Sequence, residues 1–190
     1  MEIFSGFGTG IGRIMLRQKL KSRKRRKKVY NLRTARTIGI LFDATNPKCF
    51  EPVQRFYKEL SGDHLKINVM GYFHGKVVPD KYLFKKDFIF FFKTEVRWPT
   101  VIKNKDTLKF IDKPFDILID LNLNRQFLFD QIVALSKAKF KVGRFREEKN
   151  YYDLMINMEK EPTLEYFIQQ VSHYLEMINR PDLTPKFQNI

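Results

Sequence analysis

Cysteine is nearly absent. Cys49 stands alone in 190 residues, which excludes an internal disulfide and suits a reducing compartment. Its position just after Asn46-Pro47 reads as a residue near a helix start rather than a reactive thiol. Histidine is scarce as well. His64, His74 and His173 lack the His, Cys or carboxylate spacing of a metal site, so no metal is expected. His173 adjoins Ser172 in a helical stretch, where neighbours point apart and cannot form a dyad. Nucleophile elbow, Walker loop and paired CxxC are all missing, and no cofactor is implied. No run reaches the ~18 apolar residues of a membrane span. The apolar residues at the N-terminus precede the charges, unlike a signal peptide. These absences suggest a cytoplasmic protein with no evident catalytic motif.

Acidic residues are missing from one region in particular. Residues 1–36 hold twelve Lys or Arg against the single acid Glu2, a net +11 of the chain's +15. The twelve are Arg13, Arg17, Lys19, Lys21, the run Arg23, Lys24, Arg25, Arg26, Lys27 and Lys28, then Arg33 and Arg36. A block of like charge repels itself, so this arm is expected to be mobile or partly helical until a polyanion neutralises it. Ile11, Ile14, Met15 and Leu20 fall near one face of a helix over 11–28. Arginine suits phosphate, because a guanidinium grips phosphate oxygens in a bidentate way. The apolar stripe is short and holds no Trp or Phe, so it would sit shallowly in a bilayer. RNA, above all ribosomal RNA, together with ribosomal proteins, is therefore the expected partner, ahead of an anionic membrane surface. The glycines Gly6, Gly8, Gly10 and Gly12 match neither GxGxxG nor GxxxxGK[ST] and read as a flexible leader.

Beyond the arm lies an ordinary folded body. Its 24 bases nearly balance its 20 acids, and 43% hydrophobic residues over the chain suffice for one domain with a core. The pattern predicts strands at 37–42, 65–72, 88–92, 115–121, 140–145 and 152–158. Helices are expected at 50–60, 127–137 and 162–179, a longer excursion at 93–114, and a tail at 180–190. Strand and helix alternate, as in a single mostly parallel, doubly wound α/β sheet of flavodoxin-like or Rossmann-like type. The domain reading is an arm over 1–36, an α/β body over 37–179 and the tail.

Ligands of such sheets sit beyond the C-terminal strand ends, where Asp43 and Asp120 follow the first and fourth strands. They could hold a cation or act as acid and base; helix capping and turn chemistry explain them more simply. Lysines interleaved with Tyr82, Phe84 and Trp98 over 81–110 could stack on unpaired nucleotides, or supply core and solvated charge.

Several segments together carry a resemblance: TIGILFDAT, FDILIDLNLN, ALSKAKFKVGRF, NYYDLMINM and TLEYFIQQVSHYLEMIN. Over roughly 27–179 the chain resembles a bacterial family of unknown function found in Bacteroidetes, which also shows a basic N-terminal arm of variable sequence. That resemblance implies no activity. The functional expectation is a non-enzymatic RNA-binding protein, associated with the ribosome through its arm. The alternatives are a peripheral membrane protein and a small nucleotide- or phosphate-binding enzyme using Asp43 and Asp120.

Overall fold

A computed structural model describes residues 3–62, 64–76, 82, 86–97, 101–147, 150–158 and 161–179. Six strands make the main sheet: β1 (Thr37–Asp43), β2 (Lys66–Phe73), β3 (Phe88–Phe92), β6 (Ile117–Asp120), β7 (Phe140–Arg144) and β8 (Leu154–Ile156). β4 (Val96–Arg97) and β5 (Val101–Ile102) pair antiparallel beside it. The helices are α1 (Ile3–Ser22), α2 (Pro47–Leu60), α3 (Lys105–Asp112), α4 (Phe127–Leu135) and α5 (Leu164–Met177).

All pairings in the main sheet are parallel, in the order β3-β2-β1-β6-β7-β8. Numbered as the strands join the sheet along the chain, this is 3-2-1-4-5-6, the Rossmann arrangement, and the order reverses between β1 and β6. Alternation along the strands divides the core in two. Ile38, Ile40, Phe42, Val69 and Ile119 pack beneath α2 and α5. Leu41, Met70, Phe91 and Leu118 pack beneath α1, α3 and α4. A sheet covered on both faces explains why FIFFF can be apolar throughout.

Local chemistry sets several boundaries. The Asp43–Pro47 turn closes β1, and Asn46 caps α2 by accepting from the Lys48 N–H, with Pro47 in the first turn. Asn104 caps α3, and Thr163 caps α5. Cys49 lies in the first turn of α2, where burial, then Asp43 and Glu165, push its thiol up and away from reactivity.

Three expectations need correction. The helix at the N-terminus runs over 3–22 rather than 11–28, taking in the glycines read as a leader. Its stability comes from tertiary packing: Leu16 is 1% exposed within the core, and Leu20 packs beside it. The basic run beyond Ser22 has no regular structure, and it is tied to the body rather than loose. The excursion at 93–114 contains a 3₁₀ turn, the β4–β5 pair and α3, which buries Thr107, Phe110 and Ile111. Tyr82 is a core residue, its ring centroid 3.9 Å from that of Phe50, so it offers no stacking surface. Phe84, Trp98 and the expected 180–190 tail lie outside the described residues.

Candidate nucleic-acid interface

The arm is attached to the body by alternate residues. Along the run 23–28 Arg23 and Arg25 are half-buried against the body, while Lys24, Arg26, Lys27 and Lys28 are exposed. Arg23 donates to Asp112 at 2.8 Å and to the Leu135 carbonyl. Arg25 grips Asp153 with both terminal nitrogens, at 2.6 and 2.7 Å, and also reaches the Ala138 carbonyl. Lys27 stands 3.4 Å from the same Asp153 carboxylate. The Lys28 N–H donates to the Lys139 carbonyl at 3.2 Å. Further on, Leu32 N–H donates to the Leu175 carbonyl, Asn31 reaches the Ile178 carbonyl, and Asp116 accepts from the N–H groups of Arg36 and Thr37. The link from arm to body is thus fastened along its length.

The C-terminal end of α4 explains why cations gather there. A helix end exposes carbonyls and carries partial negative charge, and α4 has no base in its own last turn. Lys141 on β7 fills that role from beneath: its ammonium donates to the Val133 and Ala134 carbonyls. Arg23 takes Leu135. Lys141 is 3% exposed, and burial, followed by repulsion from Arg25, depresses it to about 7 despite the opposing pull of Asp153. Burial would raise Asp153, but the hydrogen bond from Arg25, the Lys141 N–H and the charges of Arg25 and Lys27 outweigh it and hold the carboxyl low.

The remaining expected bases form the outer surface. Arg13, Arg17, Lys19 and Lys21 are exposed on α1, and Lys24, Arg26 and Lys28 are exposed along the run. Arg33 and Arg36 are exposed on the link. Among the described residues none of these nine meets a carboxylate. Lys28 rests 5.0 Å above the centre of the Tyr30 ring.

Asp43 and Asp120 do end β1 and β6, as the sheet topology requires, but both carboxylates have partners within the fold. Asp43 accepts from the Thr45 N–H at 2.9 Å and from Gln126 Nε2 at 2.8 Å. Asp120 is 2% exposed; it accepts from Tyr152 Oη at 2.6 Å, and from the Asn122 N–H and side-chain amide. Gly143 leaves room for the Tyr152 ring, since a Cβ there would stand 2.3 Å from it. Burial lifts Asp120 to about 6 against those hydrogen bonds, and burial followed by Asp120 pushes the Tyr152 phenol upward. Sequence reading missed Tyr152, Lys141, Asp112 and Asp153, because nothing local marks them. Among the described residues no group of three His, Cys, Asp or Glu could hold a metal.

Asp120 gives a pH signature. Its folded value lies above its ordinary 3.8, so the folded state binds the extra proton up to about 6. Stability is complete below that window and falls by about 3 kcal/mol as pH rises through it. Asp120→Asn should flatten this fall in urea titrations taken on either side of the window. An unchanged slope in the variant would assign it to another group.

A family of unknown function (DUF6913) matches the chain over residues 11–178. The chain belongs to that family. The match spans the body to the end of α5 and begins at Ile11 rather than at 27, so the family's shared region takes in most of α1 and the whole docked run. No curated protein and no solved structure matches the chain.

Proposed function

We propose that this member of the family is a non-enzymatic RNA-binding protein of the cytoplasm that sits on ribosomal RNA through its outward-facing basic strip. One observation carries the reading: the arm sorts its charges. Arg23, Arg25 and Lys27 fasten the run to Asp112 and Asp153, while Lys24, Arg26 and Lys28 stay exposed, as do Arg13, Arg17, Lys19 and Lys21 of α1. A fixed row of bases presents phosphate contacts without the ordering entropy of a loose tail. The mechanism is thus a surface held ready rather than a tail that folds on contact.

A lipid-bound arm would need Ile14, Met15 and Leu20 facing the bilayer. Leu20 instead packs on the body beside buried Leu16, while Ile14 is 57% exposed. Among the described residues no helix is long and apolar enough to cross a membrane. The enzyme reading loses its two free carboxylates to Gln126 and Tyr152.

The test is binding of the full chain to a short single-stranded RNA, measured by fluorescence anisotropy over a range of salt. Wild type should weaken steeply between about 50 and 200 mM salt. The triple variant K24Q/R26Q/K28Q, whose residues make no carboxylate contact, should bind about tenfold to a hundredfold more weakly, with the log–log salt slope shallower by about 2. Equal binding by variant and wild type would sink the proposal. Vesicles containing phosphatidylserine serve as the control; capture there, with no RNA binding, would transfer the strip to lipid.

A further inference from the structure

The bases that fasten the arm also line a cavity. Between the arm and the body lies a cleft of about 390 Å³, lined by Arg23, Arg25, Lys27, Lys141, Asn150 and Tyr151 among others. Among the described residues no carboxylate lines it. Asp112 and Asp153, which pair with these bases, lie outside its lining. Arg23, Arg25 and Lys27 outnumber Asp112 and Asp153, Asp112 is shared with Lys137, and Lys141, held near 7, adds part of a further positive charge.

The donors are also incompletely used. A guanidinium offers five N–H groups and an ammonium three. Arg23 uses two of its five, on Leu135 and Asp112. Arg25 uses three, two on Asp153 and one on Ala138. Lys141 uses two of its three, on Val133 and Ala134. Among the described residues the remaining N–H groups meet no acceptor. Among the described residues Asp153 is the carboxylate that offsets the buried Lys141 ammonium, and it is shared with Arg25 and Lys27, so a further anion there would be favourable.

We infer that this cleft is a binding site for a phosphate monoester, supplied by a free nucleotide or by the terminal phosphate of an RNA strand. A monoester carries close to two negative charges and three terminal oxygens at neutral pH. It would neutralise the excess charge and accept from Arg23, Arg25, Lys27 and Lys141 together, while Tyr151 borders the attached group. The cleft shares no residue with the outward strip, so the site stands whether or not that strip binds RNA. Occupancy would also hold the arm down, because the ligand would join residues of the run to Lys141 on β7.

Calorimetric titration of the full chain with adenosine monophosphate tests it, alongside adenosine and a short RNA carrying either a 5′-phosphate or a 5′-hydroxyl. The monophosphate should bind and adenosine should not. If strand ends are a source, the 5′-phosphorylated RNA should bind about tenfold more tightly than its hydroxyl counterpart. Lys141→Met should remove monophosphate binding, and Lys27→Gln should weaken it severalfold. Lys27 is 74% exposed, so that variant reads the same site from the surface, independently of the buried substitution. K24Q/R26Q/K28Q should bind the monophosphate as wild type does, which separates this site from the outer strip. Absence of heat and of thermal stabilisation with the monophosphate and with the 5′-phosphorylated RNA would overturn the inference. So would wild-type affinity in both Lys141→Met and Lys27→Gln.

Discussion

Asp153→Ala is expected to destabilise the protein by about 3 kcal/mol and to release the arm. The carboxylate sits at the junction of three elements. It receives both nitrogens of Arg25, stands near Lys27, and accepts the Lys141 N–H at 2.9 Å, which joins the start of β7 to the residue before β8. The side chains of Arg25 and Asp153 are only 13% and 15% exposed, so solvent screens the pair weakly. Removing the anion strands the Arg25 guanidinium and also strips Lys141 of its one nearby counter-charge. Asp153→Asn should lose less, since an amide oxygen still accepts. Urea denaturation measures the change, and amide hydrogen exchange over 23–28 reports whether the run comes loose. A loss below about 0.5 kcal/mol with exchange unchanged would show that the arm is held without Asp153, by Arg23, the Lys28 N–H and the packing of Leu16 and Leu20. The sign with pH comes from the low carboxyl value. The contribution is present above the ordinary value of 3.8 and fades as acid protonates the group below it.

The opposite outcome is expected one residue pair away: Lys141→Met should stabilise the protein at neutral pH by about 2–4 kcal/mol. A lysine held near 7 instead of 10.5 implies an electrostatic penalty of about 5 kcal/mol when charged. Methionine is apolar and unbranched, fits the same channel, and removes that penalty. Part of the gain is lost, because the Val133 and Ala134 carbonyls lose their donor. The unfolded chain keeps its proton up to 10.5, whereas the folded lysine loses it near 7. Wild type therefore loses stability as pH falls from 10.5 to about 7, and the variant should escape this loss. Its advantage should be largest below pH 7 and vanish above 10.5. Chemical denaturation across that range gives the answer. A destabilised Lys141→Met at every pH would mean that the carbonyl contacts outweigh the charge.

The sheet was legible because its signals are local. TIGILF and FIFFF could only be strands covered on both faces, and Asp43-Ala-Thr-Asn-Pro47 announced a turn and a helix cap. The parallel pattern even located Asp43 and Asp120 at the ends of β1 and β6. Their engagement with Gln126 and Tyr152 was not legible, since those partners come from 83 and 32 residues away. The same holds for the arm. Its composition argued for a polyanion partner, yet the pairing of Arg25 with Asp153 spans 128 residues, and composition carries no trace of it. Charge repulsion within the run argued for looseness; two carboxylates and the carbonyl end of α4 reverse that argument. α3 was missed for a different reason. It is only eight residues long and offers one buried pair, Phe110 and Ile111, too little for a periodic signal.

The alternation of the run also constrains how its length can change. In an extended segment the two faces swap with each single-residue step. Deleting one residue between Ser22 and Lys28 would carry the fastening bases out to solvent and turn the displayed ones toward Asp112 and Asp153. Because every residue there is Arg or Lys, charge would still meet charge, with Lys24 or Arg26 in the place of Arg25 according to which side of the run shifts. Deleting two residues would restore the original parity. The run is therefore built to survive slippage in composition while remaining exact in phase, and Arg25 is the position at which a shift would be felt first.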